Sequence, residues 1–281
     1  MPRMREIVVK KFSLRDTLEC GQTFCWTPHG QGYLSTDWGQ VIYVEQVGNR
    51  LRYKTSDHDE RIESFFRLDD PIDKIHDEIC KDDTMRRAIE FAPGLRIVSD
   101  PFFPCLVTFL CSIRNNIPSI RRLAWRLREK YGPAYEFEGS TYRGMPSAEE
   151  LARVPTQELR ALGLDWRAEF VSRTAKAICE GLVTEEELRA SDYEEAHEQL
   201  KRLHGVGDKV ADCVCLFSLG FLEAFPIDVW IERVIQRHYE IFTQSGKSYA
   251  KKSKAAREYF GQYAGYAQEY LYYYTRSTGR G

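Results

Sequence analysis

The sequence predicts an α+β fold: an N-terminal antiparallel β-sheet followed by a mostly helical body of two lobes. Two observations predict it. Within the first 55 or so residues, short β-branched and aromatic segments alternate with Gly, Asn, Asp and His-Gly breaks, the pattern of hairpin-linked strands. From about Asp57 onward apolar residues recur at helical spacing instead. The division falls at about residues 1–98 for the sheet part and 99–281 for the helical part.

The strand segments are Ile7 to Phe12, Thr23 to Thr27, Val41 to Val47 and Leu51 to Thr55. Helices are expected at 72–80, 83–91 and 102–111. In the next one Ile117, Ile120, Leu123, Ala124, Leu127 and Tyr131 share a face, with arginines opposite, and Gly132-Pro133 ends it. Further helices are expected at 147–153, 156–162, 167–181, 192–202, 209–219, 229–239, 249–262 and 265–275. Ser147 and Ser191-Asp192 supply N-cap chemistry for two of them. No internal repeat or low-complexity tract occurs.

With 281 residues and 43% hydrophobic content the chain can bury a substantial core. The net charge of −2 does not mark a general nucleic-acid binder, although main-chain N–H groups bind phosphate without any global positive charge. Two basic runs stand out: Arg121, Arg122, Arg126, Arg128 and Lys130, and Lys247, Lys251, Lys252, Lys254 and Arg257. Each reads equally as a DNA-facing patch or a solvated helix face. The eight cysteines form no Cys-x-x-Cys pair and none follows Cys215, which argues against zinc and disulfides and fits a reducing cytosol. The apolar runs are too short for a membrane span.

The chemistry concentrates in Leu203-His204-Gly205-Val206-Gly207-Asp208-Lys209-Val210-Ala211 and Pro226-Ile227-Asp228. The first reads as two helices joined by a tight hairpin. Gly205 and Gly207 permit positive φ and remove side chains that would hold a phosphate away, and the N–H groups of such a turn form an anion site. Lys209 would lie in the first turn of the second helix. Burial and the positive end of a helix both favour the neutral form that a nucleophilic amine requires. The plainer reading of Lys209 is a phosphate contact. Asp228 reads as an N-cap, and a fixed capping carboxylate also suits stabilisation of an oxocarbenium-like transition state.

These residues resemble the helix–hairpin–helix, Gly/Pro-Asp (HhH-GPD) superfamily of DNA glycosylases, with the hairpin at 201–211. Gly21-Gln22-Thr23-Phe24 with Trp26, Asn115-Asn116-Ile117, Leu162-Gly163-Leu164 with Arg167, Ser191-Asp192-Tyr193, and Tyr263-Ala264-Gly265-Tyr266-Ala267-Gln268 further resemble its 8-oxoguanine DNA glycosylase branch. The resemblance implies a bifunctional glycosylase and AP lyase of base excision repair. Lys209 would be the nucleophile and Asp228 the stabilising carboxylate. The Gly21 carbonyl would accept the N–H carried only by the oxidised base, and Gln268 would read its pairing edge. Cys213 and Tyr272 would sandwich its ring. Asn115, Asn116, Trp166 and Arg167 would fill and line the gap in the duplex, while Gly205, Gly207 and Trp230 would face DNA phosphates.

Three positions depart from the branch. Arg114 replaces an asparagine, Ser119 an arginine that reads the opposite cytosine, and Trp230 a histidine. Weaker discrimination of the opposite base is therefore expected. No organic cofactor or catalytic metal is implied. The resemblance also allows a structural monovalent cation on the carbonyls of Lys201, Leu203 and Val206. The expected partner is double-stranded DNA with oxidised guanine, bound by a monomer in the cytoplasm, or in the nucleus of a eukaryote, with no membrane. The competing readings are a glycosylase for other oxidised or alkylated purines and a non-catalytic DNA-binding protein.

Overall fold

The computed structural model describes residues 3–57, 62–244 and 246–279. The sheet has five antiparallel strands, β1 (Arg5–Val8), β2 (Trp26–His29), β3 (Gly32–Ser35), β4 (Ile42–Val47) and β5 (Arg50–Thr55), in the order β1-β5-β4-β3-β2. Strands β4 and β5 pair from Ile42 opposite Thr55 to Val47 opposite Arg50. The alternation of Ile42, Val44, Leu51 and Tyr53 turns one face into the core. The sequence reading missed β3, where Tyr33-Leu34-Ser35 is too short to show a period. It also missed α1 (Leu14–Glu19), which Ser13 caps through the Asp16 N–H.

The helices then follow in chain order: α2 (Ile62–Phe65), α3 (Ile72–Ile79), α4 (Asp83–Phe91), α5 (Phe102–Cys111), α6 (Ile117–Tyr131), α7 (Ala148–Arg153), α8 (Thr156–Leu159), α9 (Arg167–Cys179), α10 (Glu185–Ala190), α11 (Tyr193–Leu200), α12 (Asp208–Val214), α13 (Val229–His238), α14 (Tyr249–Phe260) and α15 (Ala264–Thr278). The longer ones lie where the periodicity predicts. A hairpin of β6 (Ala134–Phe137) and β7 (Ser140–Arg143) was not anticipated. Phe137 packs it onto Leu34 and Val41 of the sheet.

One hydrophobic cluster runs from Val9 to Leu271 and so crosses the expected boundary at residue 98. The C-terminal helix is the tie. On α15 the Tyr270 hydroxyl donates to the Leu95 carbonyl (3.0 Å) and the Tyr266 hydroxyl to Asp70 (2.7 Å). A second tie is the buried pair Arg128–Asp37. The Arg128 Nε donates to Asp37 at 3.0 Å, and its Nη2 donates to Asp37 and to the Phe24 carbonyl. Breaking such a pair leaves an uncompensated charge in the interior.

This pair also corrects the reading of the first basic run. Arg128 is buried and spent on the sheet, Arg126 donates to the Leu162 carbonyl (2.9 Å), and Lys130 lies beside Glu158. In the second run Lys252 pairs with Glu232 and Arg257 with Glu194. Half of these ten cations are engaged in tertiary contacts, which a one-dimensional charge count does not reveal.

The hairpin between α11 and α12 needs its first glycine for two separate reasons. Gly205 has φ +91°, and a Cβ there would lie 2.3 Å from the Phe170 ring. Gly205→Ala is expected to cost about 3 kcal/mol through backbone strain and overpacking, measurable as a lowered Tm. Gly207 differs from expectation. Its φ is −100°, so positive φ is not its purpose, and a Cβ there would meet nothing within 4 Å. What it offers is an open approach to the N-terminus of α12.

Candidate active site

Helix α12 carries Lys209 in its first turn, facing α5. The Lys209 Nζ lies 3.1 Å from the Ser112 Oγ and 5.0 Å from the centre of the Phe109 ring. Ser112 donates its own proton to the Phe109 carbonyl (2.6 Å), so its lone pairs are left to receive Lys209. Neither Ser112 nor Phe109 was flagged in the sequence, since nothing local links them to a helix a hundred residues away.

Asp228 is the N-cap of α13, as the Pro-x-Asp pattern predicts. Its Oδ1 accepts the N–H groups of Trp230 and Ile231, both at 2.9 Å. Burial holds its pKa above the ordinary carboxylate value. The two main-chain hydrogen bonds and the charge of Lys209 act the other way. The loop before it is fixed from α12. The buried Asp212 accepts the hydroxyls of Tyr193 and Tyr249, both at 2.6 Å, and the Tyr249 oxygen accepts the Ile227 N–H at 3.0 Å. One helix thus carries the amine and, one turn later, the carboxylate that positions the strand of chain leading into Asp228.

Lys209 and Asp228 face a cleft of about 890 Å³, lined also by Gly21, Ser112, Asn115, Asn116, Trp230, Tyr272 and Arg276. At its floor a recess of about 50 Å³ is bounded by Gly21, Lys209, Cys213, Asp228, Gln268, Glu269 and Tyr272. The four residues expected to hold a base therefore meet the expected nucleophile in one place. The recess has room for only about four waters, so a purine enters only if its walls move apart. The wall is held by Arg276, whose guanidinium donates to the Glu19 carbonyl (2.9 Å) and lies 5.3 Å from the Tyr272 ring centre.

Gly21 has φ +113°, and a Cβ there would fall 3.1 to 3.2 Å from Ile117, Arg276 and Tyr272. Gln22 beside it is structural. Its amide donates to the carbonyls of Thr17 (2.8 Å) and Arg96 (2.7 Å) and accepts the Val98 N–H at 3.0 Å. Cys213 is fully enclosed, and burial pushes its thiol up to about 12, which suits a neutral packing surface.

The residues expected at the duplex gap fare differently. Trp166 is 43% exposed and available to a partner. Arg167 is not: it is buried, donates to the carbonyls of Ile113 (2.8 Å) and Arg114 (2.9 Å), and its guanidinium lies 4.5 Å from the Trp166 ring centre. It braces the turn 113–116, where Arg114 adopts φ +48°. Asn116 caps α6 through the Ser119 N–H (3.0 Å), and the Asn115 amide donates to the Cys111 carbonyl (3.0 Å). Trp230 stacks with Arg233, 4.9 Å away. Of the carbonyls considered for a cation, that of Leu203 accepts the Val206 N–H (3.1 Å). Among the described residues no cluster of His, Cys, Asp and Glu could hold a metal ion, and no helix is long and apolar enough to cross a membrane.

Residues 6–106 match the family model of the 8-oxoguanine DNA glycosylase N-terminal domain, and residues 107–260 that of the HhH-GPD superfamily base excision DNA repair proteins. A Saccharomyces cerevisiae N-glycosylase/DNA lyase is 30% identical, covering 72% of this chain and 56% of the yeast protein. A probable N-glycosylase/DNA lyase of Methanothermobacter thermautotrophicus is 29% identical, covering 78% of this chain and 75% of that one. The chain thus spans little more than half of the yeast relative. Clostridium acetobutylicum 8-oxoguanine glycosylase/lyase, solved with double-stranded DNA containing cytosine opposite 8-oxoguanine, superposes with a TM-score of 0.90 at 27% identity, over 99% of this chain and 98% of that one.

Proposed function

Because this chain belongs to the HhH-GPD superfamily of base excision DNA repair proteins, we propose that it is a bifunctional glycosylase and lyase that removes 8-oxoguanine from duplex DNA. The observation that carries the reading is the shared recess, where an amine, a carboxylate and the four expected base-contacting residues converge. A base inside a duplex reaches such a recess only by leaving the stack, at a cost of a few kcal/mol.

In the reaction, Lys209 in its neutral form attacks C1′ of the extruded nucleotide. The bond from C1′ to the base breaks, and the base leaves with its electron pair and takes up a proton. Asp228 offsets the positive charge that grows on the sugar in the transition state. Loss of a proton from the nitrogen and opening of the sugar ring give the imine. A C2′ proton is then removed and the 3′ phosphate departs, which nicks the strand. Ser112 orients Lys209, because its lone pairs point at Nζ. The Gly21 carbonyl receives the N7–H that distinguishes the oxidised base, and Cys213 and Tyr272 enclose the ring. Exposed Trp166 is the wedge, and Arg167 acts through the turn it braces. Gly205, Gly207 and Trp230 face the backbone, and Asn115 and Asn116 shape the loop that borders the gap. The protein acts as a monomer in a DNA-containing compartment.

Cleavage of 8-oxoguanine paired in turn with each of the four bases tests this. Release from all four, with less than about tenfold preference for cytosine, is expected, since Ser119 offers no guanidinium to the opposite base. Ser119→Arg should sharpen the preference for cytosine by about tenfold. No release of oxidised guanine in any pairing would refute the reading.

A further inference from the structure

The base recess holds a carboxyl that the mechanism above leaves unused. Glu269 follows Gln268 on α15, is only 2% exposed, and borders the recess beside Gly21, Cys213 and Asp228. The Cys20 thiol lies beside the carboxyl group, but its one weak S–H donor is directed at the Thr17 carbonyl (3.3 Å). Glu269 Oε1 is buried with no hydrogen-bond partner, and so is Oε1 of Gln268. Buried acceptors of this kind are uncommon in folded proteins and costly to retain. Two of them, on consecutive residues lining one cavity, complement a ligand edge that carries adjacent N–H donors. The pairing edge of a guanine-type base is such an edge, with a ring N1–H beside an exocyclic 2-amine. An adenine-type base presents a lone pair at N1 and is repelled by the same acceptors.

We infer that Glu269 is a specificity-determining residue, accepting the 2-amine of the extruded base while Gln268 takes the neighbouring ring N–H. The inference rests on the reading of this recess as a base pocket. Its ionisation matters as well. Burial raises the Glu269 carboxyl to about 7 and the Asp228 charge adds to this, while the Cys20 thiol and the Arg276 charge oppose it. Lys209 borders the same recess from α12. Between pH 6 and 8 the carboxylate form therefore grows, and with it the attraction for an amine donor.

The test compares single-turnover base release from duplexes carrying 8-oxoguanine or 8-oxohypoxanthine, which lacks the 2-amine. Taking the ratio of the two rates cancels any pH effect common to both, including that of Asp228. The wild-type protein should prefer 8-oxoguanine by about tenfold or more, and the preference should rise from pH 6 to pH 8. Glu269→Gln, which keeps the volume and one acceptor, should hold a smaller preference that no longer changes with pH. Glu269→Ala should release both bases at similar rates. Equal wild-type rates, a Glu269→Gln ratio that still tracks pH, or an undiminished preference in Glu269→Ala overturns the inference while leaving the proposed function standing. Failure of the wild-type protein to release either base overturns the proposed function, and this assignment with it.

Discussion

Lys209→Gln is expected to abolish strand cleavage and to remove all covalent complex trapped by borohydride on 8-oxoguanine duplexes. The loss in base release should be about 10⁴-fold or more, as for other nucleophiles removed from a cooperating group of residues. Glutamine is one atom shorter than lysine but stays polar and keeps an N–H donor on the side facing Ser112, which Lys209 contacts at 3.1 Å. Folding should therefore be little disturbed, and Tm should stay within a few degrees of wild type. Duplex binding should persist, since the N–H groups of the hairpin are untouched. A trapped adduct surviving in Lys209→Gln would move the nucleophile elsewhere.

Asp228 allows capping and catalysis to be separated. Asparagine caps helices about as well as aspartate, so Asp228→Asn should keep both bonds to the Trp230 and Ile231 N–H groups and change stability little. It lacks the negative charge, so base release should fall by about 10²- to 10³-fold. Asp228→Ala should lose the same activity and, in addition, about 1 kcal/mol of stability with the cap. Equal activity in Asp228→Asn and wild type would remove the carboxylate from the mechanism. The pH dependence follows from the raised pKa of Asp228, which burial makes a weaker acid. Activity requires the ionised form, so it should fall as pH drops through that raised value, and Asp228→Asn should lack this acid limb. Stability runs the other way. The folded protein holds the Asp228 proton more tightly than the unfolded chain does, so this contribution is present at low pH and is lost as pH rises through the folded value.

Some of this was legible in the residue order because it is written between near neighbours. Helical periodicity placed α3 to α6 and α12 to α15, and the Gly205 hairpin, Lys209 at a helix start and the Asp228 cap each depend on a few adjacent residues. Short elements escaped because β3 has only Gly32–Ser35 and α1 only Leu14–Glu19, too few positions for a period to emerge. The arginines misled for another reason. Arg128 lies in a basic run and Arg167 follows an exposed tryptophan, yet Asp37 and the carbonyls of Ile113 and Arg114 claim them in space.

What the sequence determined by itself was the local backbone and the identity of an amine and a carboxylate, because capping, turn and helix preferences act over a few residues. Only the tertiary structure decided what those groups face. Ser112 meets Lys209 across two helices, Asp212 reaches the Asp228 loop through Tyr249, and α15 swings Gln268, Glu269 and Tyr272 against Gly21. Those meetings arise when distant apolar faces are buried together. Burial then fixes which polar atoms find partners and which, like Oε1 of Glu269, are left open.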